Sequence, residues 1–274
     1  MKEYGFKVRD YMVGGDTFRF AVWEHPLQKD PVFRDDMYFW IRNIVKPMSV
    51  VIDIGTHMGV ETVMYGLAAG RYGKVYGFEP NPHVIRCLQH TASINGKFNI
   101  EALNYAITKK AGEYTFHYSD DAFCNGGFAT ETEAGVGALG HVHPLTVQGV
   151  NLIEWMTEYA PEDVAKIGFI KIDTEGYDLA VLESIEKMIM GVRPIIQTEL
   201  FLMLSEEEIR KQLAFFDRTN YVTYFMPDEK AMAIGCCDIF ALKDKGITAK
   251  DAPRMKRVAH GGNIISLPKE RLHV

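Results

Sequence analysis

The chain has 274 residues, 47% of them hydrophobic and 24% charged, enough to bury one sizeable core and too apolar for a disordered segment. A formal net charge of −6 provides no chain-wide field to draw it onto nucleic acid or an anionic membrane. No apolar run approaches membrane-spanning length, the N-terminal stretch lacks the apolar core of a secretion signal, and Cys87, Cys124, Cys236 and Cys237 show no CxxC spacing; together these predict a cytoplasmic protein with free thiols.

Residues 1–48 read as a leader, with a strand near Phe18–Val22 and a helix near Asp35–Ile44. A regular alternation then begins. Val50–Ile54 is a short apolar run, as expected of a strand buried on both faces. Val60, Val63, Met64, Leu67 and Ala68 share one helical face that closes at Gly70. Lys74–Glu79 reads as the second strand. Asn81 and Pro82 then suit the N-cap and first turn of a helix that turns Val84, Ile85, Leu88 and Ala92 inward and stops at Gly96. Asn99–Tyr105 is a third strand and Glu113–Tyr118 a further one. From 119 to 148 the pattern lapses into Gly, Ala and Thr, which predicts a long surface loop on the substrate side. A short helix at Leu152–Tyr159 precedes the strand Ile167–Asp173, the helix Leu179–Met190 and the strand Pro194–Glu199. Ser205 and Glu208 form a capping box for a helix presenting Ile209, Leu213 and Phe216. Tyr221–Met226 and Asp238–Lys243 are expected as an edge hairpin, with 246–274 set apart as a C-terminal extension.

This order predicts a doubly wound α/β domain over residues 49–245, its mainly parallel sheet covered on both faces. Ligands of such sheets bind at the C-terminal ends of strands, near the point where strand order reverses. The residues there are Asp53 to Gly59, Glu79, Asn104 to Ala106, Asp173 and Glu199.

In Asp53-Ile54-Gly55-Thr56-His57-Met58-Gly59, glycines four apart join a buried strand to an amphipathic helix. Gly55 lets the backbone turn, and Gly59 lets a ligand or strand approach the helix start. The middle glycine of a dinucleotide fingerprint is missing, so the loop suits a nucleoside without a pyrophosphate. Glu79 ends the second strand, twenty residues after Gly59, where a carboxylate can accept both ribose hydroxyls.

The blocks VVIDIGTHMG, VYGFEPNP, ING, ALNYAIT, FIKIDTEGYDLAVLESI and RPIIQTELF, in that order over roughly residues 48–201, resemble an FkbM-type methyltransferase. The resemblance implies a class I Rossmann-like fold of seven strands with the last antiparallel. It implies S-adenosylmethionine as cofactor, and O-methylation of hydroxyls on small molecules such as sugars or natural products. It places Asp53, Gly55 and Gly59, with Thr56 and His57 in the same loop, along the methionine end. Glu79 falls on the ribose and Asn104 to Ala106 near the adenine. His57 stands where that family commonly has Asn, and NLIEWM where it often has a Thr-Leu-Asp-Asp pattern.

KIDTEG carries the candidate chemistry. Strand period two puts Lys171 and Asp173 on one face of an apolar strand, where a buried lysine calls for a carboxylate partner. Methyl transfer to an alcohol needs a base to take its proton, and Asp173 is either that base or a contact to the cofactor's amino group. An orienting Lys–Asp pair fits equally well. Glu199, ending the next strand, is a second base candidate, and Glu175 is expected to cap the helix that follows KIDTEG. No metal is expected: Asp173 and Glu199 alone offer magnesium too few oxygens, and His141 and His143 lack the further ligands of a zinc site. Two other functions share these elements, a nicotinamide-dependent oxidoreductase and a non-catalytic adenosine-binding protein. RNA ribose methylation is disfavoured by the acidic balance.

Overall fold

The leader folds as a hairpin of β1 (Phe6–Val13) and β2 (Asp16–Trp23) followed by α1 (Asp35–Ile44) in the computed structural model, which describes residues 3–118, 126–128, 143–226, 246–258 and 262–271. β1 had no hydrophobic signal because most of its side chains are exposed. The turn itself is legible: Gly14 and Gly15 both have positive φ, as a tight two-residue hairpin loop requires.

Strands β3 (Val50–Ile54), β4 (Lys74–Phe78) and β5 (Ile100–Leu103) follow, separated by α2 (Val60–Ala69) and α3 (Ile85–Ile94). A side sheet comes next, from β6 (Ala106–Ile107), β7 (Gly112–Tyr118), β8 (Gly126–Phe128) and β9 (His143–Val150), in the order β6-β9-β7-β8. Helix α4 (Leu152–Tyr159) leads to β10 (Ile167–Ile172), then α5 (Asp178–Ser184), α6 (Glu186–Val192), β11 (Ile195–Glu199), α7 (Glu206–Arg218) and β12 (Tyr221–Met226). Last come α8 (Ala252–Val258) and β13 (Asn263–Pro268). The main sheet has seven strands in the order β12-β13-β11-β10-β3-β4-β5. Only β13 runs against its neighbours. This is the doubly wound, class I Rossmann-like architecture.

Several expectations are corrected. The strand over 113–118 belongs to the side sheet, and so does 143–148, which reads as loop by composition alone. The helix expected at 179–190 is two helices that meet at Ile185. β12 pairs with β13, so the segment set apart as a C-terminal extension contributes an inner strand of the sheet. Asp238–Lys243, Cys124, Cys236, Cys237 and His141 lie outside the described residues; Cys87 is a buried free thiol. Among the described residues no helix is long and apolar enough to cross a membrane.

The leader packs onto the domain. The Ala21 N–H donates to Thr91 Oγ1 at 2.9 Å, and the Asn95 side chain bonds both backbone groups of Arg19. Phe20 and Trp23 share a buried cluster with Trp40, Val51, Val63, Phe169 and Ile195 on one sheet face. The other face carries Ile52, Tyr76, Ile170 and Ile196 against α4 to α7. Burial on both faces explains the unbroken apolar runs. Asp53, Lys171 and Gln197 interrupt the first face.

Candidate active site

The strand order reverses between β3 and β10, which opens a crevice at their C-terminal ends. Asp53, Lys171 and Gln197 pair across β3, β10 and β11 in one row, all buried. The carboxylate that Lys171 requires is present twice, with Nζ 3.0 Å from Glu61 Oε2 and 3.2 Å from Asp173 Oδ2. Burial opposes the ammonium, but Glu61, Asp173 and Asp53 outweigh it and hold the Lys171 pKa well above the usual range. Asp53 Oδ2 accepts from the Thr62 hydroxyl at 2.6 Å, while Oδ1 is buried without a partner. Burial raises its pKa to about 6 against the pull of Lys171 and Thr62.

The glycine loop is wound by three residues with left-handed backbone: Gly55 (φ 84°), His57 (φ 50°) and Gly59 (φ 90°). His is among the few non-glycine types that tolerate this region, as Asn does. A β-carbon on Gly55 would strike the Asp173 carbonyl oxygen, and one on Gly59 the Leu88 side chain. Gly55 thus admits the end of β10, and Gly59 the packing of α3 on the start of α2.

Glu79 is held by two backbone donors, His57 N–H to Oε2 and Asn81 N–H to Oε1, each at 2.9 Å. Burial raises its pKa to about 7, and these two bonds limit the rise. Asn104 donates to the Glu79 and Pro80 carbonyls at 2.8 and 2.9 Å, bracing the end of β4. Asn81 Oδ1 accepts from the His83 N–H, which closes the turn before α3 rather than capping the helix at Ile85.

Beyond β10, Asp178 braces the loop that precedes α5. Its Oδ1 accepts from the Thr174 N–H and hydroxyl at 2.9 and 2.6 Å, and its Oδ2 from the Glu199 N–H at 3.0 Å. Burial and then the nearby Asp173 raise the Asp178 pKa to about 7. Glu175 adopts φ 54°, and no side chain caps α5. Glu199 Oε2 is buried without a hydrogen-bond partner. Burial, then the charges of Asp173, Glu175 and Asp178, push its pKa to about 9, so the free protein holds this carboxyl protonated at neutral pH.

Two cavities adjoin across Gly55, His57 and Asp173. The first, about 220 Å³, is walled by Glu79, Tyr105, Ala106, Ile107, Phe116 and Tyr177 among others, and Glu175 also faces it. The second, about 320 Å³, adds Thr56, Gly59, Glu61, Lys171 and Asn263, with Val32 and Met37 of the leader. Gly55, Thr56, His57, Gly59, Glu79, Ala106, Lys171 and Asp173 therefore line one cavity or both, as do their neighbours Ile54, Met58 and Tyr105. Asp53, Asn104 and Glu199 are not among the residues lining either. Glu61, Phe116, Tyr177 and Asn263 escaped the sequence reading. Glu61 had a signal, an acidic residue two positions after Gly59 in the first turn of α2; Phe116 and Asn263 had none.

The family described as "Methyltransferase FkbM domain" matches residues 53–223, more than half of the chain. A hexuronic acid methyltransferase, AglP, from Haloferax volcanii is 24% identical over 180 residues, which cover 66% of this chain and 67% of that protein. Among solved structures, an FkbM methyltransferase from Methylobacillus flagellatus aligns at 13% identity and a TM-score of 0.36, covering 55% of this chain and 32% of that longer chain. An S-adenosylmethionine-dependent O-methyltransferase from Thermotoga maritima aligns at 10% identity and a TM-score of 0.42, over 88% of this chain and 67% of the other.

Proposed function

As this chain belongs to the FkbM family of S-adenosylmethionine-dependent methyltransferases, we propose that it methylates a hydroxyl oxygen of a sugar or a comparable small molecule. Its cofactor is S-adenosylmethionine. The residues fit that ligand. Glu79 keeps one lone pair on each oxygen beyond its two backbone bonds, which suits a pair of ribose hydroxyls. Phe78, Val84, Tyr105, Ala106, Ile107 and Phe116 offer an apolar slot for a flat base. Carboxylates outnumber Lys171 around the crevice, an environment favourable to a cationic donor.

The observation that carries the reading is the place of Asp173, the carboxylate common to both cavities. When bound, the cofactor supplies an electrophilic methyl group on a positively charged sulfur. Asp173 then accepts the proton of the acceptor hydroxyl as the oxygen attacks. Lys171 orients that carboxylate, and Asp178 fixes the loop carrying it by binding Thr174 and the Glu199 N–H. Glu199 is the weaker base candidate, since a carboxyl that already holds a proton cannot receive another.

The acceptor class draws support from the Haloferax relative, named for hexuronic acid. The test incubates the chain with methyl-labelled donor and a panel of hexuronic acids, neutral hexoses and the same sugars with blocked hydroxyls. The expected product carries its label as a methyl ether. Label appearing only on nitrogen or carbon acceptors would end the proposal.

A further inference from the structure

Three residues lining the second cavity come from the two ends of the sequence: Val32 and Met37 of the leader, and Asn263 at the start of β13. Two strands fix Asn263 at once, since it lies opposite Glu199 of β11 and Met226 of β12 in antiparallel ladders. Side chains alternate along a strand, and residues paired across a ladder share a face. Asn263 and Glu199 therefore stand on the face of Ile265 and Gln197, which the Gln197–Lys171 pair carries across to β10. Asp173 follows Ile172, whose partner on β11 is Thr198, so it stands beside Glu199 on that same face. Asp173, Glu199 and Asn263 thus form a second row, one step beyond Asp53, Lys171 and Gln197 toward the mouth of the crevice. Glu199, in the middle, has Oε2 buried and keeps its proton at neutral pH. The row therefore runs from a carboxylate through a neutral centre to an amide. Val32 is 75% exposed, which puts it at the rim, where it and Met37 form an apolar wall.

We propose that Asn263 selects the methyl acceptor, by hydrogen-bonding a second oxygen of the sugar whose reacting hydroxyl lies at Asp173, while Val32 and Met37 cover the C–H face of its ring. This rests on the methyl-transfer reading above and deepens it by naming the residues that choose the acceptor. The spacing of the row sets the size of the ligand. Adjacent strands lie about 4.8 Å apart, so two steps put Asp173 and Asn263 about 10 Å from each other. A hydrogen bond of about 2.8 Å at each end leaves roughly 4 Å between the two ligand oxygens. Hydroxyls on neighbouring ring carbons are closer than that. Oxygens on non-neighbouring carbons of one six-membered ring span it. An amide both donates and accepts, so Asn263 can receive a hydroxyl whichever way its proton points. The neutral Glu199 places no charge beneath the carbons of the ring. The acceptor so defined is a cyclic polyol held at two separated oxygens, and a monohydric alcohol would lack the second contact.

Labelled methyl transfer by the full chain tests this with the best acceptor among the hexoses and hexuronic acids above and with each of its monodeoxy derivatives. In the wild type, one derivative that keeps the reacting hydroxyl should show KM raised about fivefold with kcat little changed, the loss expected for one hydrogen bond. Its missing oxygen should belong to a carbon that does not neighbour the methylated one. Asn263→Ala should raise KM for the parent sugar by a similar factor, add no further loss on that derivative, and leave S-adenosylhomocysteine affinity within about twofold. If circular dichroism shows the alanine variant unfolded, Asn263→Ser is read in its place. Equal weakening of the parent sugar and every derivative, unchanged KM for the parent, or a parallel loss of S-adenosylhomocysteine overturns the assignment. So does a wild type most sensitive to the oxygen beside the methylated one. A wild type that binds S-adenosylhomocysteine and methylates none of the sugars overturns the acceptor class proposed above, and this assignment falls with it.

Discussion

Gly55 meets the end of β10 so closely that a β-carbon built on it would lie 1.8 Å from the Asp173 carbonyl oxygen. The Asp173 N–H in turn donates to the Ile54 carbonyl at 2.9 Å. The glycine loop and the candidate base are therefore one construction: the bend that shapes the cavity proposed for the nucleoside also sets the height of Asp173 above the sheet.

Gly55→Ala should consequently harm both stability and binding. Left-handed backbone alone costs a non-glycine residue roughly 1–3 kcal/mol, and the collision with backbone adds to it. Gly15→Ala is the control, since Gly15 has φ 85° with nothing within 4 Å of its added carbon. In urea denaturation Gly55→Ala should lose clearly more stability than Gly15→Ala, and should also lose S-adenosylhomocysteine binding. Equal losses would show that the Asp173 contact has no weight.

Glu79→Ala removes the acceptor for the His57 and Asn81 N–H groups as well as the proposed ribose contact. Nucleoside affinity should fall by about 1–3 kcal/mol, the range for hydrogen bonds to a charged group. A 2′-deoxy analogue should be weakened much less by the substitution than the ribonucleoside. If both suffer alike, Glu79 shapes the loop without touching the ribose.

Asp173→Asn keeps the shape of the side chain and removes its charge. Turnover should fall by at least a hundredfold, on the order of what general base catalysis contributes, while S-adenosylhomocysteine affinity changes less. A parallel loss in both would make Asp173 a cofactor contact. A variant with unimpaired turnover would remove it from the reaction.

Four buried carboxyls have raised pKa values: Asp53 about 6, Glu79 and Asp178 about 7, and Glu199 about 9. A carboxyl whose folded pKa lies above its unfolded value stabilises the fold fully below the unfolded value, and that stability is lost as pH rises through the folded one. Free-protein stability should therefore decline from mildly acidic pH toward pH 9. Above neutrality Glu199 is the main carboxyl still titrating, with a slope approaching about 1.4 kcal/mol per pH unit. Glu199→Gln should flatten the urea midpoint between pH 7 and 9. Parallel curves for variant and wild type would show that Glu199 is not the group responsible.

The amino-acid sequence alone determined the succession of elements, because strands and helices write their periods locally. Val50–Ile54, Leu152–Tyr159 and the Ser205–Glu208 capping box stand where the residues place them. It also brought Gly55, Glu79 and Asp173 to one crevice, since parallel strands in a doubly wound sheet deliver their C-terminal ends to the same side. Tertiary structure alone decided which charges meet. Glu61 reaches Lys171 from a helix more than a hundred residues earlier in the chain, and no local period records that encounter. β13 enters the sheet between β11 and β12 although its surroundings in sequence read as a tail. Glu199 keeps its proton because of burial and three neighbouring carboxylates, and both arise only once the chain has packed.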